Sequence, residues 1–167
     1  MLKILCPTDF SPHAKKALNY AVQLCNLLDA ELHIITAFKV PTGAAGGIKM
    51  QETIKHNRLL ELNTLASGVV PQLVHDRPPL VVARKGTAPS VIQNYIKHND
   101  ISLVVMGTQG SGSVKNLLFG SVTRKVARKL HVPLLAIPDD VEFDDLKGKS
   151  FLLTLDSNQV EHEEVLN

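Results

Sequence analysis

The sequence predicts an α/β protein built on a five-stranded parallel sheet with helices on both faces. Short aliphatic runs alternate with longer amphipathic stretches, in the order βαβαβαβαβ. The runs are apolar throughout instead of alternating with polar residues, as in strands covered on both sides. The palette is also aliphatic, with 44% hydrophobic residues, 4% aromatic and no Trp. Parallel neighbours require right-handed crossovers, which the intervening helices supply.

The first strand is Lys3-Ile4-Leu5-Cys6-Pro7, ended by Thr8-Asp9-Phe10. Ser11-Pro12 is a good N-cap and first-turn pair. From there Ala14, Ala17, Leu18, Ala21, Val22, Cys25 and Leu28 recur at helical spacing. Glu31 to Phe38 forms the second strand. A Gly/Ala loop follows over 41–47, then a weakly patterned helix ending near Ala66. Leu80-Val81-Val82-Ala83 is the third strand, closed by Lys85-Gly86, and Thr87 is placed to cap a helix with Val91, Ile92, Tyr95 and Ile96 inside. Ser102 to Met106 is the fourth strand. After a Gly/Ser segment, Ser121 caps a last helix with Val122, Val126 and Leu130 inside and Arg124, Lys125, Arg128 and Lys129 outside. Val132 to Ile137 is the fifth strand.

The net charge of +2 hides an asymmetry. Residues 1–138 carry sixteen Lys and Arg against seven Asp and Glu, and residues 139–167 carry two against nine. This places a boundary near 139, with an acidic linker over 139–149. Residues 150–167 echo the N-terminal strand and its following Asp. They are expected to be the start of a truncated second repeat or, alternatively, a C-terminal extension. No run is apolar enough to span a bilayer. No signal peptide is expected, and Cys6 and Cys25 fall on buried positions as reduced thiols, so a cytoplasmic location is expected.

The glycine segment carries the chemistry. Gly107 and Gly112 have the span of a P-loop, but Ser113-Val114 stand where Lys and Ser/Thr are required. Gly110-Ser111-Gly112 lacks the third glycine of a dinucleotide fingerprint. Glycines after a strand let backbone N–H groups turn toward an anion, and no Asp or Glu occurs over 101–138 to repel one. A structural loop with a plain N-cap is the bland alternative. Asp9, across the expected switch point, is placed to accept ribose hydroxyls, or else to serve as a turn residue beside Ser11.

No Ser/His/Asp set has supporting context, and the seven histidines show no metal spacing and are expected on surfaces, so no catalytic or metal-ligating residue is assigned. The basic helix face invites a nucleic-acid reading. With two Tyr and no Trp there is little stacking surface, and a solvated face explains the charge better.

Pro7-Thr8-Asp9-Phe10-Ser11, Gly86-Thr87-Ala88-Pro89, Gly107-x2-Gly110-x9-Gly120-Ser121 and Val132-Pro133-Leu134-Leu135 together resemble the universal stress protein family over residues 2–138. The resemblance implies a Rossmann-like three-layer sandwich with sheet order 3-2-1-4-5. It also implies a homodimer paired through the fifth strand, or a pseudo-dimer with a second repeat. The glycine motif is similar to that of the ATP-binding branch. It implies that Asp9 holds the ribose, with Pro7 and Thr8 lining the pocket and the backbone of Ile35 and Thr36 facing adenine. Gly107, Gly110, Gly120, Ser121 and Val122 then cradle the phosphates of ATP, AMP or ADP with Thr123 nearby, Met106 and Thr108 belong to the same nucleotide site, and Mg²⁺ arrives on the nucleotide. Gln109 and Ser111 stand where the family often has basic residues, which implies weaker binding. The expected function is a nucleotide-dependent stress-response regulator and not an enzyme. The alternative is a nucleotide-free dimerisation scaffold.

Overall fold

A computed structural model describes residues 1–41, 47–109 and 120–138. The expected acidic linker and the second-repeat stretch lie outside these residues, as does Gly110.

Five strands and four helices follow one another. They are β1 (Lys3–Pro7), α1 (Pro12–Leu28), β2 (Glu31–Phe38), α2 (Gly47–Val69), β3 (Leu80–Lys85), α3 (Ala88–Asn99), β4 (Leu103–Gly107), α4 (Ser121–Ala127) and β5 (Leu134–Ile137). A 3₁₀ turn over Val70–Gln72 extends α2. The strands are all parallel, in the order β3-β2-β1-β4-β5. The expected fold and strand order are therefore present.

Period-two alternation divides the core. Ile4 and Cys6 of β1, with Leu32 and Ile34 of β2, point to one side and meet α1 and α2. Leu5, Ile35, Val104 and Met106 point to the other and meet Val91, Ile92 and Tyr95 of α3 and Val126 of α4. Each fully buried Leu or Ile contributes about 1.5–3 kcal/mol, so the central strands anchor both layers. The Ser11 cap forms as expected, its hydroxyl accepting from the Ala14 N–H at 3.2 Å. Thr87 occupies the N-cap position of α3, but its side chain makes no capping bond.

Several expectations are corrected. The fifth strand begins at Leu134, not Val132, because Pro133 has no N–H to give the ladder; its carbonyl accepts from Val104 instead. Leu28 and Val122, expected inside, are exposed, and α4 buries Thr123 and Val126. The outer strands are not covered on both faces: Leu80 of β3 is 51% exposed, and most of β5 is half-buried. The second helix runs on to Val69 while burying only Leu62, Ala66 and Val69, which explains its faint pattern. His33 is buried, not on the surface.

Candidate functional site

The sheet's winding reverses between β1 and β4, so a crevice is expected beyond their carboxyl ends. Their ladder registers Ile4 with Leu103 and Leu5 with Val104. Among the described residues the buried polar side chains are Thr8, Ser11, Thr36, Thr108, Thr123 and His33. All but His33 flank this crevice. Buried polar groups persist where they are hydrogen-bonded, and these are used to shape backbone.

One wall is the turn after β1. The Thr8 N–H donates to the Ile35 carbonyl at 2.8 Å, and the Thr8 carbonyl accepts from the Thr36 hydroxyl at 2.9 Å. Thr8 Oγ1 in turn accepts the Phe10 N–H at 3.0 Å. Asp9 is exposed, and its carboxylate accepts the Ser11 N–H at 3.1 Å. Phe10 then adopts the left-handed conformation at φ 65°, which costs a non-glycine residue about 1–2 kcal/mol. The Arg58 guanidinium of α2 lies 5.5 Å above its ring. A carboxylate accepts more than one donor, so the turn role of Asp9 and a ligand role are compatible.

The opposite wall begins at Gly107. A Cβ there would lie 3.1 Å from the His13 carbonyl oxygen and 3.1 Å from that of Gln109, so the backbone of β4 approaches the start of α1 so closely that a side chain would require the neighbours to give by a few tenths of an ångström. The Thr123 hydroxyl donates to the Gly107 carbonyl at 2.9 Å. Thr108 N–H donates to Ile137, and the Gly120 N–H donates to the Thr108 carbonyl at 2.6 Å. Residues 108 and 120 are thereby clamped together at the mouth. Gly120 has φ −62° and ψ 159°, a conformation open to any residue. Ser121 and Val122 follow it, both exposed at the start of α4. Met106 is buried in the layer beneath.

Pro7 and Ile35 are register partners at the end of the β1–β2 ladder. The Ile35 carbonyl is already engaged by Thr8. Alternation turns the Thr36 backbone toward β3 and the Ala37 backbone toward the β1 side, just past the point where β1 ends. Ala37 is thus the strand-2 residue whose peptide groups face the crevice. Only the register reveals it, as the residue two beyond the last one paired with β1. Structure and expectation thus bring Pro7, Thr8, Asp9, Gly107, Thr108, Gly120 and Thr123 to one end of the sheet.

The two cysteines are free and buried. Burial raises both thiols to about 12, Cys25 raising Cys6 further while Arg77 partly offsets the rise at Cys25. Neither is available as a thiolate nucleophile at neutral pH. No group of three or more His, Cys, Asp or Glu among the described residues is placed to hold a metal ion. No helix among them is long and apolar enough to cross a membrane.

A parallel sheet of order 3-2-1-4-5, with helices on both faces and a winding reversal between β1 and β4, defines a Rossmann-like class of α/β domain. Within that class, residues 1–138 match the universal stress protein family, and the chain belongs to it. It is 28% identical over 152 residues to universal stress protein MJ0577 of Methanocaldococcus jannaschii, covering 81% of this chain and 93% of that one. The solved structure of universal stress protein UspA from Lactobacillus plantarum superposes with TM-score 0.70 at 20% identity, covering 81% of this chain and 97% of that one. A universal stress protein in complex with cAMP gives TM-score 0.59 at 21% identity, covering 81% and 96%. The Archaeoglobus fulgidus protein in complex with dAMP gives 0.56 at 20%, covering 81% and 97%.

Proposed function

We propose that this protein binds an adenine nucleotide in the β1–β4 crevice and acts as a nucleotide-responsive regulator of the stress response, without being an enzyme. The observation that carries the reading is the pairing of two preset walls. The Thr8–Asp9 turn, locked to β2, presents a carboxylate. The clamp of Thr108 to Gly120, with Thr123 behind it, presents glycine-lined backbone in a stretch with no acid from 101 to 138. That two fold relatives were solved with cAMP and dAMP supports an adenine nucleotide as the ligand class.

In this reading Asp9 takes the ribose hydroxyls and the Ala37 peptide the adenine edge. Backbone N–H groups around Gly107 and Gly120, with the Ser121 hydroxyl, take the phosphates. ATP, ADP and AMP all suit such a site, with Mg²⁺ carried on the polyphosphate, since the chain has no acidic cluster there to hold it independently. A homodimer through β5 belongs to the same reading, because among the described residues that strand is bonded on one side only, to β4. So does a cytoplasmic location, which suits two unpaired thiols.

The test is release of small molecules by heat denaturation, identified by mass spectrometry, then calorimetric titration of stripped protein with Mg-ATP and AMP. Co-purified adenine nucleotide, or saturable binding lost in Gly120→Val, is the expected result. An empty protein with no heat of binding overturns it. The replacement of basic residues by Gln109 and Ser111 favours one second reading, a nucleotide-free dimeric scaffold. That reading predicts a dimer by light scattering whose state ignores nucleotide.

A further inference from the structure

We infer that the basic face of α4 is the docking surface for the chain's own acidic segment, residues 139–145. The inference stands apart from the nucleotide reading, because it uses none of the residues assigned to the nucleotide.

The face follows from the helix period. Thr123 and Val126 turn inward, so Arg124, Lys125, Arg128 and Lys129 fall together on the opposite side, along α4 and the turn that continues it. All four are exposed. Like charges four residues apart repel, as Arg124 and Arg128 do, and Lys125 and Lys129. No Asp or Glu occurs over 101–138, and α3, which shares a core layer with α4, has none over 88–99. Lys125, Arg128 and Lys129 make no ion pair among the described residues.

Charge and tether together name the occupant. Asp139, Asp140, Glu142, Asp144 and Asp145 put five acids into seven residues, the densest acidic run of the chain. The run follows the last residue of β5 after Pro138 alone. β5 is parallel to β4 and α4 connects them, so α4 runs back against the strands. It starts at the crevice end, where the Gly120 N–H meets the Thr108 carbonyl, and β5 finishes there too, its Ile137 carbonyl accepting from the Thr108 N–H at 2.9 Å. The acidic segment is therefore tethered beside the start of α4, with the length of the helix to follow. Seven residues reach at most about 25 Å, whereas Arg124 to Lys129 spans only about 8 Å of helix axis. So short a tether gives an effective concentration in about the millimolar range, where exposed ion pairs that are weak singly suffice together. On the other face of the sheet, α1 offers two cations near that end, Lys15 and Lys16, against the four of α4.

The test is paramagnetic NMR on the full chain, with a nitroxide on Leu146→Cys, just past the last acid of the run. Cys6 and Cys25 are buried, and the unmutated chain taken through the same labelling is the control. Loss of the Arg128 and Lys129 amide signals is expected, with recovery in Lys125→Gln/Arg128→Gln/Lys129→Gln. Recovery is also expected in about 0.5 M sodium chloride, where the screening length falls to about 4 Å. The three substituted positions are exposed, and should the triple variant unfold, the salt series on the parent decides the matter. Four results overturn the proposal: signals of α4 that keep their full intensity, a loss that neither salt nor the triple variant reverses, a loss centred instead on Lys15 and Lys16, and a loss that also appears when isotope-labelled chain without nitroxide is mixed with nitroxide-bearing chain at natural abundance. The last assigns the contact to a second copy.

Discussion

The Nδ1 of His33 lies 2.8 Å from the hydroxyl of Tyr95, joining β2 to α3 inside an otherwise aliphatic layer. The rings meet edge to face, with centroids 5.8 Å apart and planes at 67°. Each residue is the other's polar partner in a place water does not reach. Tyr95→Phe keeps the ring and removes the bond, stranding a buried imidazole nitrogen. A loss of about 1–3 kcal/mol is expected, measured by urea unfolding at pH 7.5.

The same histidine makes stability depend on pH. Burial pushes its pKa below the ordinary value of 6.5, an effect partly opposed by Glu31, whose carboxylate sits 3.7 Å from Nε2. The unfolded chain therefore takes up a proton that the folded chain resists. This contribution is fully present above pH 6.5 and is lost as pH falls through that value toward the lower folded-state pKa. Unfolding curves at pH 7.5 and 5.5 should show a smaller drop in His33→Gln than in the parent. An equal drop in both proteins would count against the assignment.

Gly86 is the one described glycine with a positive φ, at 147°, and a Cβ placed on it would lie 2.9 Å from Val91 Cγ2. Its N–H also closes onto the Phe38 carbonyl. Gly86→Ala should cost about 1–3 kcal/mol from dihedral strain and the clash together. Adding Val91→Ala relieves the clash alone. The double-mutant cycle should therefore show a favourable coupling, and strict additivity would show that the clash is absent.

At Asp9 two substitutions separate turn from ligand. Asp9→Asn keeps an oxygen to accept the Ser11 N–H and loses the charge, whereas Asp9→Ala loses both. Thermal stability should hold in the first and fall by about 0.5–1.5 kcal/mol in the second. Calorimetry with AMP should show weakened binding in both. Unchanged affinity in Asp9→Asn would confine this carboxylate to the turn.

Cys6 and Cys25, buried with thiols raised to about 12, should resist a disulfide reagent at pH 8 until the chain unfolds. The labelling rate should follow global unfolding across a denaturant series. Fast labelling of either thiol in buffer would contradict the burial.

The order of elements was legible because each is announced locally: the aliphatic run of β1, the Ser11-Pro12 start of α1, the stripe of α3. What escaped depended on partners distant in sequence. Val122 is the more apolar residue, yet Thr123 is the one turned inward, because the Gly107 carbonyl waits there sixteen residues upstream. His33 has no local mark of burial; its partner Tyr95 is 62 residues away. The exposure of Leu80 follows from the outer place of β3, which its composition does not state. In the site, Thr8, Asp9 and the glycines were readable as a loop cluster. The peptide facing the crevice from β2 needed the register and so moved from Ile35 and Thr36 to Ala37.

The central place of β1 has a kinetic corollary. The first strand made is paired on one flank by β2 soon after synthesis, but its other flank waits for β4, nearly a hundred residues later. Contacts of such long sequence separation are slow to close. The seam beneath the crevice is thus a late event on the way to the native state. An occupant of that seam adds its stabilisation after the folding barrier, so it should lengthen the lifetime of the folded protein while leaving the rate of refolding almost untouched.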